Sequence, residues 1–294
     1  MALPELKEFC LPETGNELVS KLDKYGDGSL FVAGGTFIHS LEARGLLSGV
    51  EALIDLNKLG LDTIEEEKHG VRIGAAVRFA ALEQIPGFGS PAFGALRDAL
   101  RCPPLQIKNQ ATVGGSIASS CVFFDVPAAF QVLDGSIIAE GRGGSRNMPL
   151  EDVYRGLFDN SLAADEYIAS LFIPGQHPRS SSAYLKLETN ANDQALVGVA
   201  VRITVGGKLG RKDKIRDARV VLGGGLNQTF IRSPAAESVL NGEVVSDELF
   251  GKAADAIAAD IDPISDQRCS AEYRAAIGKV FVRRALQQAT QRLK

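Results

Sequence analysis

Two paired-glycine turns limit this chain's folding choices more than any other feature. The first, Val32-Ala33-Gly34-Gly35-Thr36, closes a short apolar stretch at Ser29–Ala33 and leads into a helical pattern from Phe37 to Leu47. The second, Ala111-Thr112-Val113-Gly114-Gly115-Ser116, precedes another apolar run. Glycine tolerates positive φ and lets a backbone come close to whatever it faces. Successive N–H groups in such a turn form a concavity suited to anions, and a following helix adds a favourable dipole. Thr36, Thr112 and Ser116 add hydroxyl donors beside the glycines. Either turn alone reads as a plain tight turn. Together, on different elements, they read as two sides of a clasp for a pyrophosphate.

The flanking pattern sets the fold class. Glu13–Tyr25 places Leu18, Val19 and Leu22 on one helical face, and Ala52–Leu56 is a second apolar strand. This alternation predicts a small βαβ unit. Next come a strand at Val71–Ala75, helical pieces at Phe79–Ile85, Phe93–Leu100 and Val126–Leu133, and strands of an antiparallel sheet at Ser136–Glu140 and Tyr167–Ile173. Pro174-Gly175-Gln176-His177-Pro178 is turn chemistry and predicts a boundary. Beyond it lie apolar strands at Ala183–Leu187, Val197–Val205 and Ala218–Leu222, then helices at Pro234–Leu240, Asp247–Ala259 and Ala271–Arg292. The expectation is an α+β protein with a two-part N-terminal region, a βαβ unit (1–57) and an antiparallel sheet with helices (58–176). A C-terminal domain of three antiparallel strands and three helices (177–294) follows. The loop Lys208–Arg216 carries five positive charges and reads as a solvated hairpin tip.

Much familiar chemistry is missing. The net charge of −4 argues against nucleic-acid binding, which needs a basic face. There is no P-loop, no G-x-G-x-x-G, no nucleophile elbow and no H-E-x-x-H. Cys10, Cys102, Cys121 and Cys269 form no C-x-x-C pair, so a zinc ribbon or local iron–sulfur cluster is not expected. His39, His69 and His177 are widely spaced, and only His39, close to the first glycine turn, has any claim to function. The N-terminus lacks the basic and apolar regions of a signal peptide, and apolar runs such as Ala195–Val201 are far too short to span a membrane. The reading is a cytoplasmic chain with reduced thiols. It offers no nucleophile, base or metal set of its own, so redox work would need a bound organic cofactor.

The turns and three further motifs resemble the FAD-binding medium subunit of the molybdenum hydroxylases, the group of carbon monoxide, nicotinate and xanthine dehydrogenases. The family's A-G-G-T is matched by Ala33–Thr36, and its R-N-x-A-T-[IV]-G-G-N by Lys108–Ser116. Its aspartate ten residues after the second glycine is matched by Asp125, and its strand lysine by Lys186 in AYLKL. Its C-terminal S-A-E-Y-R and R-R-A-L are matched by Ser270–Arg274 and Arg283–Leu286.

The resemblance implies FAD held in extended form. Val32, Ala33, Gly34, Gly35, Thr36, Phe37 and Ile38 would wrap its pyrophosphate and ribityl region, with Ala111, Thr112, Gly115, Ser116 and Ser119 on the other side. Asp125 would accept from cofactor hydroxyls or cap the helix at Val126-Pro127, or do both. Cys102, with Pro103, and the backbone at Leu162 would lie near the flavin ring. Lys186 would lie near the cofactor or be a plain strand lysine. The family also implies a large partner subunit with the molybdenum cofactor, a small partner with [2Fe–2S] clusters, and an external electron acceptor. Phe37, Ser116 and Lys108 depart from the family's polar residue, Asn and Arg, and Glu188-Thr189-Asn190 stands where a basic pair is usual. No cysteine-bearing insertion is present, unlike in the 4-hydroxybenzoyl-CoA reductases. Two other readings compete: a self-contained FAD-dependent reductase, and a structural subunit that has lost its flavin.

Overall fold

A computed structural model describes residues 3–190, 193–206 and 214–293. The His39 side chain lies outside the described residues, as does most of the Lys208–Arg216 loop.

The N-terminal unit is three parallel strands with helices between them. They are β1 (Glu8–Cys10), α1 (Gly15–Tyr25), β2 (Ser29–Val32), α2 (Ile38–Ala43) and β3 (Ala52–Asp55), with sheet order β1-β3-β2. Thr14 caps α1 by accepting from the Glu17 N–H, and the Glu17 carboxylate accepts from the Glu13 N–H at 2.8 Å. Leu18 and Leu22, one turn apart, are buried against Ala52 and Ile54 of β3 and Cys10 of β1. The three-residue β1 is absent from the sequence reading. Glu8 fastens it to α1 by accepting from Lys24 at 2.9 Å and Tyr25 at 2.6 Å. The α2 helix is shorter than the expected Phe37–Leu47. Gly45 turns left-handed at φ +70°, and the N–H of Leu46 returns to the Leu41 carbonyl, which ends the helix.

The second unit is a five-stranded antiparallel sheet with helices on one side. Its elements are β4 (Ile64–Glu67), β5 (Gly70–Gly74), α3 (Phe79–Leu82), α4 (Gly94–Arg101), α5 (Leu105–Lys108), α6 (Val113–Ala118), α7 (Val126–Val132), β6 (Ser136–Gly141), β7 (Gly144–Pro149), the short β8 (Tyr154–Gly156) and β9 (Asp159–Asn160), and β10 (Tyr167–Pro174). The order β4-β5-β10-β6-β7 places β10 centrally, and β8 and β9 pair separately. Pro86 ends the helical expectation at Phe79–Ile85 early, because the residue before a proline is pushed to extended backbone, and Ile85 has ψ 115°. Every residue of α7 is buried.

The third unit is the antiparallel sheet β11 (Ser180–Leu187), β12 (Val197–Gly206), β13 (Lys214–Gly223) and β14 (Ile231–Arg232), followed by α8 (Pro234–Leu240), α9 (Asp247–Ala256) and α10 (Ala271–Gln291). The three expected strands and three helices are present, and two-residue β14 adds a fourth strand at the edge. All of β12 is buried because α10 packs on the sheet from one side and α7 from the other. This is why β12 reads as a continuous apolar run rather than an alternation. Val282, Ala285, Leu286 and Ala289 form the matching stripe on α10. No helix among the described residues is long and apolar enough to cross a membrane.

Candidate functional site

The two glycine turns, far apart in sequence, touch in space. A Cβ added at Gly34 would lie 2.1 Å from the Gln110 carbonyl oxygen and 3.0 Å from the Ala111 Cα. Gly35 follows with φ +66°. Asn57 steadies the first turn by donating from Nδ2 to the Ala33 carbonyl at 3.0 Å. The second turn is seated on the end of β5, where the Gly114 N–H donates to the Ala75 carbonyl at 2.8 Å. Thr112 caps α6, accepting from the Gly115 N–H at 3.2 Å. Its lone pair therefore serves the helix, while its proton remains available to a ligand.

A cavity of about 540 Å³ lies between the turns, within the usual size range of ligand pockets. Every site residue expected from the sequence lines it: Val32 to Ile38, Cys102, Ala111, Thr112, Gly115, Ser116, Ser119, Asp125, Leu162 and Lys186. Two lining hydroxyls, Ser116 Oγ and Ser29 Oγ, are buried without a protein partner. Buried polar groups in native proteins are nearly always paired, so these two suit a polar ligand. Ser119 differs, because its hydroxyl already donates to the Ser116 carbonyl at 2.7 Å. The Leu162 N–H is likewise engaged, by Asn160 Oδ1 at 2.9 Å. Phe37, in place of a polar residue, packs its ring on Phe124 and Phe158 with centroids 5.0 and 5.6 Å away. It makes the start of α2 an apolar wall.

Asp125, just before α7, also lines the cavity and is a buried carboxylate. Its Oδ1 accepts from the Tyr184 hydroxyl at 2.7 Å and its Oδ2 from Lys186 Nζ at 3.3 Å. It makes no side-chain capping bond to α7, which corrects the capping alternative. Its backbone is already helical, at φ −87° and ψ −47°, whereas a capping side chain usually needs an extended residue. Lys186 is not a plain surface lysine either. Its ammonium is buried and also meets Glu188 Oε2 at 3.0 Å. Burial pushes the Asp125 carboxyl up to about 6, with the Lys186 charge and the Tyr184 hydroxyl pulling the other way. Burial works against the Lys186 ammonium, yet Asp125 and Glu188 outweigh it and hold it charged. Tyr184, which the sequence reading missed, is held protonated by burial and by the Asp125 charge. Its place two residues before Lys186 on β11 is the signal that identifies it, since alternate strand residues share a face. Burial also pushes the Cys102 thiol up to about 12, so it is an uncharged wall group and no thiolate.

Comparison with known proteins identifies the architecture. Residues 5–176 match the family described as FAD binding domain in molybdopterin dehydrogenase. Residues 182–289 match the CO dehydrogenase flavoprotein C-terminal domain. The chain belongs to the FAD-binding medium subunits of the molybdenum hydroxylases. Among curated relatives of this family, the nicotine 6-hydroxylase medium subunit of Paenarthrobacter nicotinovorans is 29% identical, over 98% of this chain and 99% of its own length. The carbon monoxide dehydrogenase medium chain of Afipia carboxidovorans is 30% identical over 99% of both. Among solved structures, reconstituted CO dehydrogenase from Oligotropha carboxidovorans superposes with a TM-score of 0.90 at 28% identity, covering 99% of this chain and 100% of that one. The family's cofactor is FAD, and its members are oxidoreductase subunits. The cavity between the turns is compatible with such a cofactor: close-approach glycines, unpaired buried hydroxyls and a carboxylate acceptor are what a dinucleotide's phosphates and sugar hydroxyls require.

Proposed function

We propose that the cavity between the two glycine turns holds FAD and that the chain serves as an electron relay. Electrons would come from the [2Fe–2S] clusters of a small partner subunit and leave to an external acceptor, while a large partner carries the molybdenum cofactor and the substrate. The flavin supplies the redox chemistry, and this chain's residues supply binding and tuning. Its Gly34-Gly35 and Gly114-Gly115 backbone would cradle the pyrophosphate, Ser116 and Thr112 would donate to phosphate oxygens, and Asp125 would accept from sugar hydroxyls. The observation that carries this reading is the buried, unpartnered Ser116 hydroxyl on a cavity formed where the two turns meet. We read the parts 1–57 and 58–176 as the cofactor-binding region, 177–294 as the C-terminal domain, and the cytoplasm as the setting.

Purification of the native assembly tests this reading. FAD, molybdenum and iron should co-elute with the chain, and the complex's substrate should bleach the flavin anaerobically only when the partners are present. Bleaching by the isolated, flavin-loaded chain would instead establish a self-contained reductase.

Asp125 offers a finer test. Asp125→Ala should weaken FAD binding by about 1.5–3 kcal/mol, the range for a hydrogen bond to a charged group. Because the ionised carboxylate is the acceptor, FAD affinity of the wild-type chain should fall as pH drops through about 6. The flavin-free fold should respond oppositely. The folded carboxyl titrates above its ordinary value of 3.8, so its contribution to stability is fully present below that value and is lost as pH rises through about 6. Asp125→Asn should flatten both profiles, as read by fluorescence titration and thermal melts.

A further inference from the structure

One wall of the cavity is held from behind by the C-terminal unit. Phe123 lines the cavity, two residues before Asp125. Its carbonyl accepts from the Ala195 N–H at 3.1 Å, and the neighbouring Val122 carbonyl accepts from the Gly224 N–H at 2.8 Å. Its ring lies under two guanidiniums: the Arg268 Cζ is 4.6 Å from the ring centroid and the Arg274 Cζ is 5.9 Å away. Neither arginine lines the cavity.

Both arginines are themselves fixed. Arg274 is fully buried and donates from Nε to the Leu196 carbonyl at 3.1 Å, from Nη1 to the Ile264 carbonyl, and from Nη2 to Asp266 Oδ2 at 2.9 Å. Gly225, at φ +78°, leaves room for it, since a Cβ there would stand 2.9 Å from the guanidinium carbon. Arg268 donates to the same Asp266 oxygen at 3.3 Å and to the carbonyl of Gln194, another cavity-lining residue, at 3.3 Å. Asp266 Oδ1 accepts from the N–H groups of Arg268 and Cys269 at 2.9 and 3.0 Å. One carboxylate therefore sets the position of both cations over one ring.

We propose that Arg268, anchored with Arg274 by Asp266, is a positioning residue for the flavin cavity that acts through the Phe123 ring. The inference rests on the flavin reading of the cavity. A cation stacked on an aromatic ring fixes the ring's tilt, and here the opposite face of that segment forms the binding wall. Arg268 is partly exposed, so its removal spares the buried Arg274 frame.

The test uses the full chain, stripped of flavin and titrated with FAD. Arg268→Ala should raise the Kd about three- to tenfold, the size of a cation–π contact. It should also alter the visible circular dichroism of the bound flavin, while the flavin-free chain keeps its far-ultraviolet spectrum and melts cooperatively, only a few degrees below wild type. Arg268→Lys, which keeps a cation over the ring, should recover part of the affinity. In a Phe123→Leu background, Arg268→Ala should lose most of its effect. A wild-type Kd in Arg268→Ala, or the same fold-change in both backgrounds, would overturn the proposal. Failure of the wild-type chain to take up FAD would overturn the flavin reading and this inference with it.

Discussion

Gly34→Val should abolish FAD binding. Any Cβ at this position falls on backbone, 2.1 Å from the Gln110 carbonyl oxygen, and backbone cannot rotate away as a side chain would. The two turns must part, and the cavity between them opens at its phosphate-binding floor. Gly35→Val should act differently. A Cβ there makes only an ordinary contact with Val32 Cγ1 at 3.9 Å, but φ +66° is strained for a β-branched residue, costing about 1–3 kcal/mol. Gly115→Val sits between these cases, because its Cβ would press on the Thr112 hydroxyl that caps α6 at 2.9 Å. Flavin content after purification should therefore rank wild type first, Gly35→Val and Gly115→Val well below, and Gly34→Val at zero. The fold should persist in all three as judged by far-ultraviolet circular dichroism, since none of the three glycines is itself a member of a core cluster.

Asp98→Ala should be among the most destabilising single changes outside the core. The Asp98 carboxylate on α4 pairs twice with Arg292 beyond the end of α10, at 2.7 and 2.8 Å. It also accepts from the Tyr184 N–H and from Gln288 Nε2, each at 3.1 Å. One side chain thus joins the second unit to the last helix and to the strand that carries Tyr184 and Lys186. Its removal leaves a largely buried guanidinium and a backbone N–H without their partner. Loss of one member of a buried pair costs about 3–5 kcal/mol, and partial exposure of Arg292 brings the expected value to about 2–4 kcal/mol. Asp98→Asn retains one acceptor oxygen and should cost less. Urea unfolding of the two variants beside wild type measures the difference.

Local patterns were legible in the sequence, and contacts between distant segments were not. The glycine turns, the strand runs of β10 to β13 and the long α10 all announce themselves through spacing that their own neighbours determine. The meeting of Gly34 with Gln110 has no local signature; the pairing of two such turns suggested one pyrophosphate clasp, and the family resemblance named its ligand as FAD. Asp125 shows the limit of local reading. An aspartate before Val-Pro looks like a helix cap, but its own helical backbone and the Tyr184 and Lys186 donors of a later strand decide its role. The short β1 and β14 escaped because three or two residues carry no periodicity. The stacking of Arg268 on Phe123 joins segments on different units, and nothing in either segment foretells it.

Amide hydrogen exchange on the full chain, with and without FAD, tests the location of the cofactor most directly. FAD should slow exchange at Val32–Ile38 and at Ala111–Ser119 together, because both turns face one ligand, and Gly34→Val should remove both effects. Flavin-dependent protection confined to other segments, with these two turns unchanged, would contradict that location.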